Sequence, residues 1–502
     1  MLDAPLALPD SRVQWLVSSD IAEHAQTYVA QQLLSTIRIP TVQTLILATR
    51  QPDMARTYAL PYAWLRVLES HGVKVQKSFS KLAWLKLQLS VWRTVLANWR
   101  SLLKQANGGW SAPGSSYAVL LGAPPARGRQ PVVPDGFSLF DWLARHPDIM
   151  PANELMVTVD PSATEATGNG DRIRPVTHPF PRLHEIERPG FRRQTVALLV
   201  KAAVLNIFGC WWAPFLVQGA METAYFERLK WPAHRYIFTI AVGMFLKPLW
   251  TYQAERQGVH CLLLYYGTNT EPLAGDFPHT QFPGVQLQNW KTYVAFNDTQ
   301  EAWLRALVRG APHVIVKEAV DFADDPTIDV KLPPRTILAL DVNVRKLLWW
   351  PANGFIDHYY VSEFAEAFFD DLAEVASQLD ANVAWKGKRV GNGPRAYAYE
   401  RAIQALGDKA PLITLDPALS PRRLARHAKA CIAVPFTAAG PLFKAGGAPA
   451  AYYDALARIP GCGAEVNGLP LLRSRDHLLS WLDRALETET EEAAQILQRR
   501  IS

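Results

Sequence analysis

The C-terminal part of the chain alternates short apolar runs with amphipathic stretches. Residues 336–341 form an apolar run that ends in Asp341, which is typical of a parallel strand buried on both faces. In residues 361–379, apolar side chains recur three and four positions apart, which predicts an amphipathic helix. The alternation continues with predicted strands at 382–385 and 412–415, helices at 421–428 and 476–486, and a strand, turn, short helix and strand within 430–454. This order predicts right-handed crossovers and a doubly wound parallel sheet.

The predicted turn and short helix within this last segment favour phosphate binding. Pro441 suits a first helical turn, and Gly446 and Gly447 suit the end of the helix. A helix that opens between Thr437 and Pro441 leaves its first backbone amides without intrahelical partners. Those amides and the helix dipole together form a site for a phosphate, as in half of a nucleotide-binding fold.

The N-terminal half also mixes strand and helix patterns. Its predicted helices are 20–36 and 82–103, and its predicted strands are 44–48, 117–121, 154–159, 260–266, 292–296 and 313–316. Residues 161–189 are rich in Pro, Thr, Gly and charge without clear periodicity, which predicts a long loop. The pattern is interrupted again at residues 329–335, so we predict one domain over 1–330 and a second over 331–490.

Residues 196–217 are strongly apolar but interrupted. Lys201, Asn206, Gly209 and Pro214 break the run, and a membrane-spanning helix needs about 20 predominantly apolar residues. We therefore expect buried helix here and at 237–246. Contact with a membrane surface stays open, because aromatic and basic side chains that suit lipid head groups lie nearby. These are Trp211, Trp212, Trp231, Trp250, Lys230, Arg235 and Lys247.

The amino-acid composition indicates the class of protein and its cellular compartment. The 502 residues are too many for one core, and 49% hydrophobic with 20% charged residues is typical of a globular protein. The four cysteines show no paired spacing, so neither a zinc site nor a disulfide framework is indicated and a reducing cytoplasm fits best. The N-terminus has no basic region or long apolar run, which argues against a cleaved signal peptide. A net charge of +6 is modest and compatible with anionic lipids, nucleotide substrates or an ordinary surface.

Motifs that the sequence lacks narrow the chemistry. It contains no Gly-x-x-x-x-Gly-Lys-Ser/Thr loop and no Gly-x-Gly-x-x-Gly after a strand, which disfavours kinases, ATPases and ordinary dehydrogenases. It has no Gly-x-Ser-x-Gly, which disfavours hydrolases with a nucleophile elbow. No Asp-x-Asp pair follows a strand, so metal-independent chemistry is the expectation.

Polar residues follow each predicted C-terminal strand, where an open α/β sheet binds its ligands. They are Asp341, Asn343, Lys386, Lys388, Arg389, Asp416, Pro435, Thr437 and Asp454. Together they would offer cations and amides to a phosphate and carboxylates to a ribose or sugar. Each has a structural alternative: the basic cluster suits a solvated turn, Thr437 suits a helix cap, and Asp341 suits the cap of a neighbouring turn.

The catalytic candidates are Asp341 and one acidic residue of the N-terminal half, Glu222. Glu222 lies in an otherwise apolar helical stretch, and a buried carboxylate must be paired, have its pKa raised or perform a function. It could act as base or nucleophile. Alternatively, it could form a salt bridge with Lys201, Arg228 or Lys230. His260 and Glu271 are weaker candidates that flank one strand.

The turn Pro435-Phe436-Thr437 resembles the motif of bacterial polysaccharide-biosynthesis proteins named for a Pro-Phe-Thr-Ser sequence, with Ala438 in place of serine. The resemblance extends over about residues 202–482 and includes the Asp341 strand and the basic turn at Lys386. It implies a GT-B-like α/β fold with two Rossmann-like domains and an interdomain cleft. Its N-terminal half would bind the acceptor and its C-terminal half the nucleotide sugar, with Pro435, Phe436 and Thr437 among the substrate-binding residues.

The same resemblance implies a metal-independent glycosyltransferase without cofactors. It would transfer a sugar from a nucleotide donor to a glycan or lipid-linked glycan in the cytoplasm, and peripheral contact with the cytoplasmic face of the inner membrane stays open. We expect no nucleic-acid partner. A CMP-activated acidic sugar is the preferred donor, because the layout looks like that of capsule Kdo transferases. A non-catalytic glycan-assembly protein and a sugar-nucleotide epimerase remain alternatives.

Overall fold

The computed structural model describes most of the chain from residue 77 onward. The described residues are 77–113, 116–121, 142–150, 154–158, 173–208, 210, 213–239, 247–265, 288–308, 311–318, 320, 328–342, 344, 361–387, 397–417, 419–459 and 465–487. The predicted helix 20–36 and strand 44–48 lie outside them.

The N-terminal half contains a seven-stranded sheet in the order β3-β2-β1-β4-β5-β6-β7. Its strands are β1 (Tyr117–Leu121), β2 (Glu154–Thr158), β3 (Ile173–Val176), β4 (Arg235–Thr239), β5 (His260–Leu264), β6 (Thr292–Ala295) and β7 (His313–Val316). The pairs β3–β2, β2–β1, β1–β4 and β6–β7 are parallel. All five residues of β1 are buried, as a strand covered on both faces requires.

Helices fill the connections of this half. They are α1 (Lys77–Gly108), α2 (Arg188–Ile207), α3 (Ala213–Phe226), α4 (Leu249–Arg256) and α5 (Asp298–Leu307), with a 3₁₀ turn at Glu185–Glu187. Helix α3 is buried over nearly its whole length, whereas only part of α2 is buried. The expectation of buried helix over 196–217 is therefore right for α3 and only partly right for α2.

The C-terminal half contains a second seven-stranded sheet, in the order β10-β9-β8-β11-β12-β14-β13. Its strands are β8 (Thr336–Leu340), β9 (Asn382–Lys386), β10 (Leu412–Thr414), β11 (Ala430–Ala433), β12 (Ala450–Tyr453), β13 (Glu465–Val466) and β14 (Leu469–Leu472). All neighbouring strands are parallel except the hairpin β13–β14. The helices are α6 (Ser362–Gln378), α7 (Tyr397–Lys409), α8 (Pro421–Leu424) and α9 (Ala439–Lys444), with a further helix over 475–487.

The core of this half follows the predicted periodicity. Strand β8 is buried at every residue, and α6 buries one continuous apolar face. That face comprises Phe364, Phe368, Leu372, Val375 and Ala376. Two doubly wound α/β sheets confirm the predicted fold class of two Rossmann-like units.

Two sequence predictions are wrong. Strand β3 lies in the region predicted as a loop, because it is an edge strand, where Pro175 is tolerated and Arg174 can face solvent. Residues 237–239 belong to β4, although they were predicted as the start of a helix. Strands of a buried parallel sheet are as apolar as buried helices, so periodicity alone does not separate the two.

The boundary at residue 330 stays a prediction. It falls between the last strand of the first sheet and the first strand of the second. Grouped by internal contacts, however, the chain from residue 292 onward falls with the C-terminal half. None of the described helices is both long and apolar enough to cross a membrane.

Candidate functional site

The strand order of the second sheet places a topological switch point at its carboxyl edge, between β8 and β11. From β8 the chain winds outward through β9 and β10, then returns to the other side of β8 through β11 and β12. Ligands of open α/β sheets bind at such a switch point. Leu340 is in register with Lys386 on one side and with Ala433 on the other, and Val434 N donates to Leu340 O at 2.8 Å. Asp341 therefore lies beside Lys386 and the turn that follows β11.

That turn, Val434 to Thr437, has an unusual backbone. Pro435 occupies its second position, Phe436 has a φ of 64°, and Thr437 N donates to Val434 O at 3.3 Å. These are the features of a type II turn, whose third position normally holds glycine. A bulky residue in this region costs about 1–3 kcal/mol. Burial of the Phe436 ring, which lies 6.4 Å from that of Tyr452 between centroids, holds the conformation in place.

The hydroxyl of Thr437 is already engaged. Its Oγ1 donates to Val434 O at 3.0 Å, and the residue is buried. Its carbonyl oxygen accepts a hydrogen bond from the Tyr452 hydroxyl at 2.7 Å. Thr437 thus stabilises the turn itself and does not cap α9, whose N-cap is Ala438.

Helix α9 begins at Ala439 and packs closely on the sheet. Its N-cap, Ala438, makes no side-chain capping bond, so the first amides of the helix receive no side-chain oxygen from the cap. Gly440 makes the close approach possible. A Cβ at this position would lie 2.8 Å from Leu469 Cδ1 and 3.2 Å from Ala433 Cβ. The predicted strand, turn, short helix and strand of 430–454 are confirmed.

Asp341 is buried and held by two aromatic donors. Trp385 Nε1 donates to Asp341 Oδ2 at 2.9 Å, and the buried Tyr399 hydroxyl donates to the same oxygen. These bonds fix the orientation of the carboxylate at the switch point. Sequence reasoning missed Tyr399 because α7 was not predicted, although Tyr399, Ala402 and Leu406 follow helical spacing and are buried.

The basic cluster is described only at its first residue. Lys386 is the last residue of β9 and is 7% exposed. The basic cluster therefore does not begin in a solvated surface turn. Lys388 and Arg389 lie outside the described residues, as does Asn343. The phosphate clamp stays a prediction.

Asp454 stabilises the loop that follows β12. Its Oδ1 accepts from Arg458 N at 3.2 Å, and its Oδ2 accepts from Ile459 N at 2.8 Å. The side chain is fully buried. Both carboxylate oxygens thus bind the backbone of the chain itself, and a contact with substrate stays a prediction.

Glu222 lies in the N-terminal half, on α3. Its Oε1 accepts hydrogen bonds from Asn98 Nδ2 at 3.1 Å and from Gln218 Nε2 at 3.4 Å. Burial raises the pKa of Glu222 to about 7, while these two bonds lower it. Its partners are therefore amides and not the three cations considered from the sequence. Arg228, one of those cations, lies 3.8 Å from Glu187 instead.

A family comparison identifies the chain. The sequence model described as polysaccharide biosynthesis PFTS motif protein matches residues 202–482, more than half of the 502 residues. The chain belongs to this PFTS family. No curated protein matches the sequence. The matched range of the PFTS protein includes Glu222, Asp341 and the Pro435–Thr437 turn.

Several solved structures are similar to the PFTS protein. TarM matches at 10% identity over 54% of this chain and 51% of its own, with a TM-score of 0.34. The glycotransferase of kitacinnamycin matches at 12% identity over 77% and 99%, with a TM-score of 0.36. UGT2 of Phytolacca americana, complexed with UDP-2fluoro-glucose and pterostilbene, matches at 10% identity over 77% and 94%, with a TM-score of 0.35. The chain spans about half the length of TarM.

Two residues considered for membrane contact are buried in the PFTS protein. Trp250 packs among aromatic rings, with its centroid 4.7 Å from Tyr236 and 4.9 Å from Phe180. Lys247 is buried against Glu255, with Nζ 2.8 Å from Oε1. Neither can contact lipid. Trp231 is 64% exposed, and Trp211 and Trp212 lie outside the described residues.

Of the two remaining candidates, the structure describes only His260, which is peripheral to any carboxyl-edge site. His260 is the first residue of β5 and is therefore at the amino edge of its sheet. Glu271 lies outside the described residues. Within the part of the chain that is described, no group of three His, Cys, Asp or Glu side chains could hold a metal ion.

Proposed function

We propose that this protein is a glycosyltransferase of bacterial surface-polysaccharide biosynthesis that uses a nucleotide-sugar donor. One observation carries the proposal: the motif turn of a polysaccharide-biosynthesis family lies at the switch point of a doubly wound sheet, beside Asp341 and Lys386. That position is where sheets of this order bind nucleotides. Membership of the family supports a role in polysaccharide biosynthesis, and the strand order supports a nucleotide-binding site.

The proposed reaction exchanges one bond at the anomeric carbon. The bond from that carbon to the donor phosphate breaks, and a bond to an acceptor hydroxyl oxygen forms. The leaving phosphate gains negative charge, which Lys386, Lys388, Arg389 and the amides at the start of α9 would stabilise in place of a metal ion. Asp341, oriented by Trp385 and Tyr399, would accept a hydrogen bond from a hydroxyl of the donor.

The acceptor hydroxyl must lose its proton to a base, for which Glu222 is the candidate. A carboxylate whose pKa is about 7 is suited to accept a proton near neutral pH. The donor we propose is a CMP-activated acidic sugar, and the acceptor is a glycan or lipid-linked glycan. The reaction would take place in the cytoplasm.

A glycosyltransferase, an epimerase and a non-catalytic assembly protein differ in what they do to a nucleotide sugar. The protein is incubated with CMP-, UDP- and GDP-sugars, with and without a glycan acceptor, and free nucleotide and sugar are measured. Nucleotide release that depends on acceptor supports transfer. An altered donor sugar without acceptor identifies an epimerase, and binding without any conversion identifies a non-catalytic assembly protein.

The donor site is tested by substitution at the basic cluster. Replacing Lys386 and Arg389 together by Ala should weaken donor binding at least about tenfold, because two cations next to a phosphate are lost. Lys331→Ala is the control, since Lys331 is exposed and precedes β8, at the opposite edge of the sheet. Equal donor affinity in wild type and the double variant would remove the clamp from the proposal.

A further inference from the structure

Helices α1 and α2 expose more apolar surface than a solvated helix pair normally does. The solvent-facing sides of such helices are usually polar. Here Val200 is 57% exposed, Leu89 60%, Phe208 79% and Ile207 81%. The apolar residues exposed on and directly after these two helices are Leu85, Leu89, Leu96, Val196, Val200, Val204, Ile207 and Phe208.

Hydrogen bonds set the two helices antiparallel. Asn206 of α2 accepts from Trp92 at 3.4 Å and donates to Gln88 at 3.2 Å. Farther along, Trp99 Nε1 donates to Thr195 Oγ1 at 3.1 Å. Arg192 donates to Asn107 at 3.1 Å. Residue numbers therefore rise along α1 while they fall along α2.

One end of the pair carries most of the exposed apolar side chains, whereas cations occur along its whole length. Leu85 and Leu89 of α1 lie at the same end as Val204, Ile207 and Phe208 of α2. Toward the other end, α1 carries two exposed cations and α2 carries three Arg residues, namely Arg100, Lys104, Arg188, Arg192 and Arg193. We call the combined surface the α1–α2 face.

The charge of the two helices has one sign. Helix α1 contains six Lys or Arg residues and α2 contains four, whereas neither contains Asp or Glu. The whole chain contains 52 cationic and 46 anionic residues. These two helices are therefore much more basic than the chain as a whole. A strongly basic surface with exposed apolar side chains suits anionic lipid, since apolar groups enter the interface while cations contact phosphates.

The basic end also forms an open pocket of about 780 Å³. Its lining includes Arg188, Arg192, Arg193, Asn107, Glu185 and Val196. Among the described residues of this lining, Glu185 is the only carboxylate, whereas three are Arg. Glu185 lies 3.8 Å from Arg188. A lipid phosphate could enter this pocket next to Val196, the first exposed apolar residue of α2.

We propose that the α1–α2 face docks the protein onto a bilayer that contains anionic phospholipid. The apolar end inserts at the boundary between head groups and acyl chains, and the basic end binds head-group phosphates. A protein partner would need an acidic surface with matching apolar groups, whereas an anionic bilayer presents both everywhere. The proposal does not depend on sugar transfer, so its failure leaves the proposed function untouched.

The test is co-sedimentation of the full-length protein with vesicles. Vesicles of phosphatidylglycerol and phosphatidylcholine should retain the protein at least about tenfold better than vesicles of phosphatidylcholine alone. Raising the salt concentration from about 0.1 M to about 1 M should weaken this binding, because the Debye length falls. Failure of the wild-type protein to bind anionic vesicles would overturn the proposal.

Two variants separate the apolar and basic contributions. Val200→Gln, Val204→Gln and Ile207→Gln together should reduce binding at least about tenfold. Lys104→Gln with Arg193→Gln should reduce it less and leave it less sensitive to salt. The matched control is Tyr397→Gln with Lys331→Gln, which changes an exposed aromatic residue and an exposed cation outside the face.

Circular dichroism and sedimentation velocity complete the comparison. Each variant should keep the wild-type helical spectrum, because all substituted side chains are exposed. Binding equal to that of wild type in the apolar variant would refute the assignment. So would a wild-type dimer that dissociates in that variant and does not bind vesicles, since the face would then cover a second copy of the chain.

Discussion

At the level of single residues, Phe436 is the clearest departure from ordinary backbone geometry. Its φ of 64° lies in the left-handed region, where a side chain normally costs free energy and glycine does not. The ring is nevertheless buried beside Tyr452. The family motif thus places an aromatic residue where a turn of this type prefers glycine.

Phe436→Gly and Phe436→Ala form a matched pair that measures this backbone cost. Both lose the ring, but only Ala retains a Cβ in the left-handed region. We expect the Gly variant to have a free energy of unfolding about 1 kcal/mol higher than the Ala variant. Urea unfolding of both proteins checks the prediction. A more stable Ala variant would show that the turn relaxes to a different conformation.

Glu222 predicts a dependence of stability on pH. Its pKa is about 7 in the folded protein, above its ordinary value of 4.5, because burial disfavours the charged form. At a pH between these two pKa values, Glu222 loses its proton in the unfolded chain but keeps it in the folded protein. The free energy of unfolding should therefore fall as pH rises from about 4.5 to about 7, by roughly 3 kcal/mol for this group.

Glu222→Gln tests both that dependence and the proposed catalytic role. The neutral amide still accepts from Asn98, so the variant should lose less stability than wild type between pH 5 and pH 8 in urea unfolding. If Glu222 is also the base, turnover should fall at least about a hundredfold at pH 7. Unchanged turnover with a flattened stability profile would leave Glu222 a packing residue only.

At the level of elements, the contact of α9 with the sheet depends on the absence of a side chain at Gly440. A methyl group there would meet Leu469 and Ala433 at distances that require movement. We expect Gly440→Ala to lower the free energy of unfolding by about 1–3 kcal/mol. It should also weaken donor binding, because the start of α9 shifts away from the switch point between β8 and β11.

Gly190→Ala is the control for Gly440→Ala. Its added Cβ would find its nearest heavy atom 3.8 Å away, and Gly190 also lies in a helix. Alanine should therefore stabilise α2 by about 0.5–1 kcal/mol. Calorimetric unfolding of the two variants in parallel gives the comparison. Equal effects of both substitutions would contradict the steric argument.

Most strands could be predicted because a parallel sheet buried on both faces leaves continuous apolar runs. The residues at the switch point could also be predicted, since the carboxyl ends of parallel strands share one edge. The hydrogen-bond donors that orient Asp341 could not be predicted from the sequence, because strand register and helix packing bring Trp385 and Tyr399 to it. Asn98, a hydrogen-bond partner of Glu222, also could not be predicted, because it lies on another helix that is distant in sequence.

At the level of the whole molecule, nucleotide binding should be visible as thermal stabilisation. A ligand at 100 times its Kd stabilises the folded state by about 2.7 kcal/mol. We expect CMP to raise the melting temperature by a few degrees and UDP and GDP to raise it less. Differential scanning fluorimetry with the three nucleotides checks this. A larger shift with UDP or GDP would replace the proposed donor class, and no shift with any nucleotide would contradict the donor site.

The charge of the molecule is not evenly distributed. A net charge of +6 appears unremarkable, yet the helix pair α1 and α2 alone carries ten cations and no anion. Among the tryptophans predicted to suit lipid head groups, Trp250 is buried. Composition averaged over a chain therefore conceals a surface that only the helix packing reveals.

The pairing of β8 with β11 has a consequence for biosynthesis. Residues 337–340 acquire their neighbours 430–433 only after the intervening strands and helices have been translated. Long-range parallel pairing of this kind forms slowly and late. A nascent chain that ends before β11 therefore cannot form the switch point between β8 and β11, beside which Asp341 and the Pro435–Thr437 turn lie.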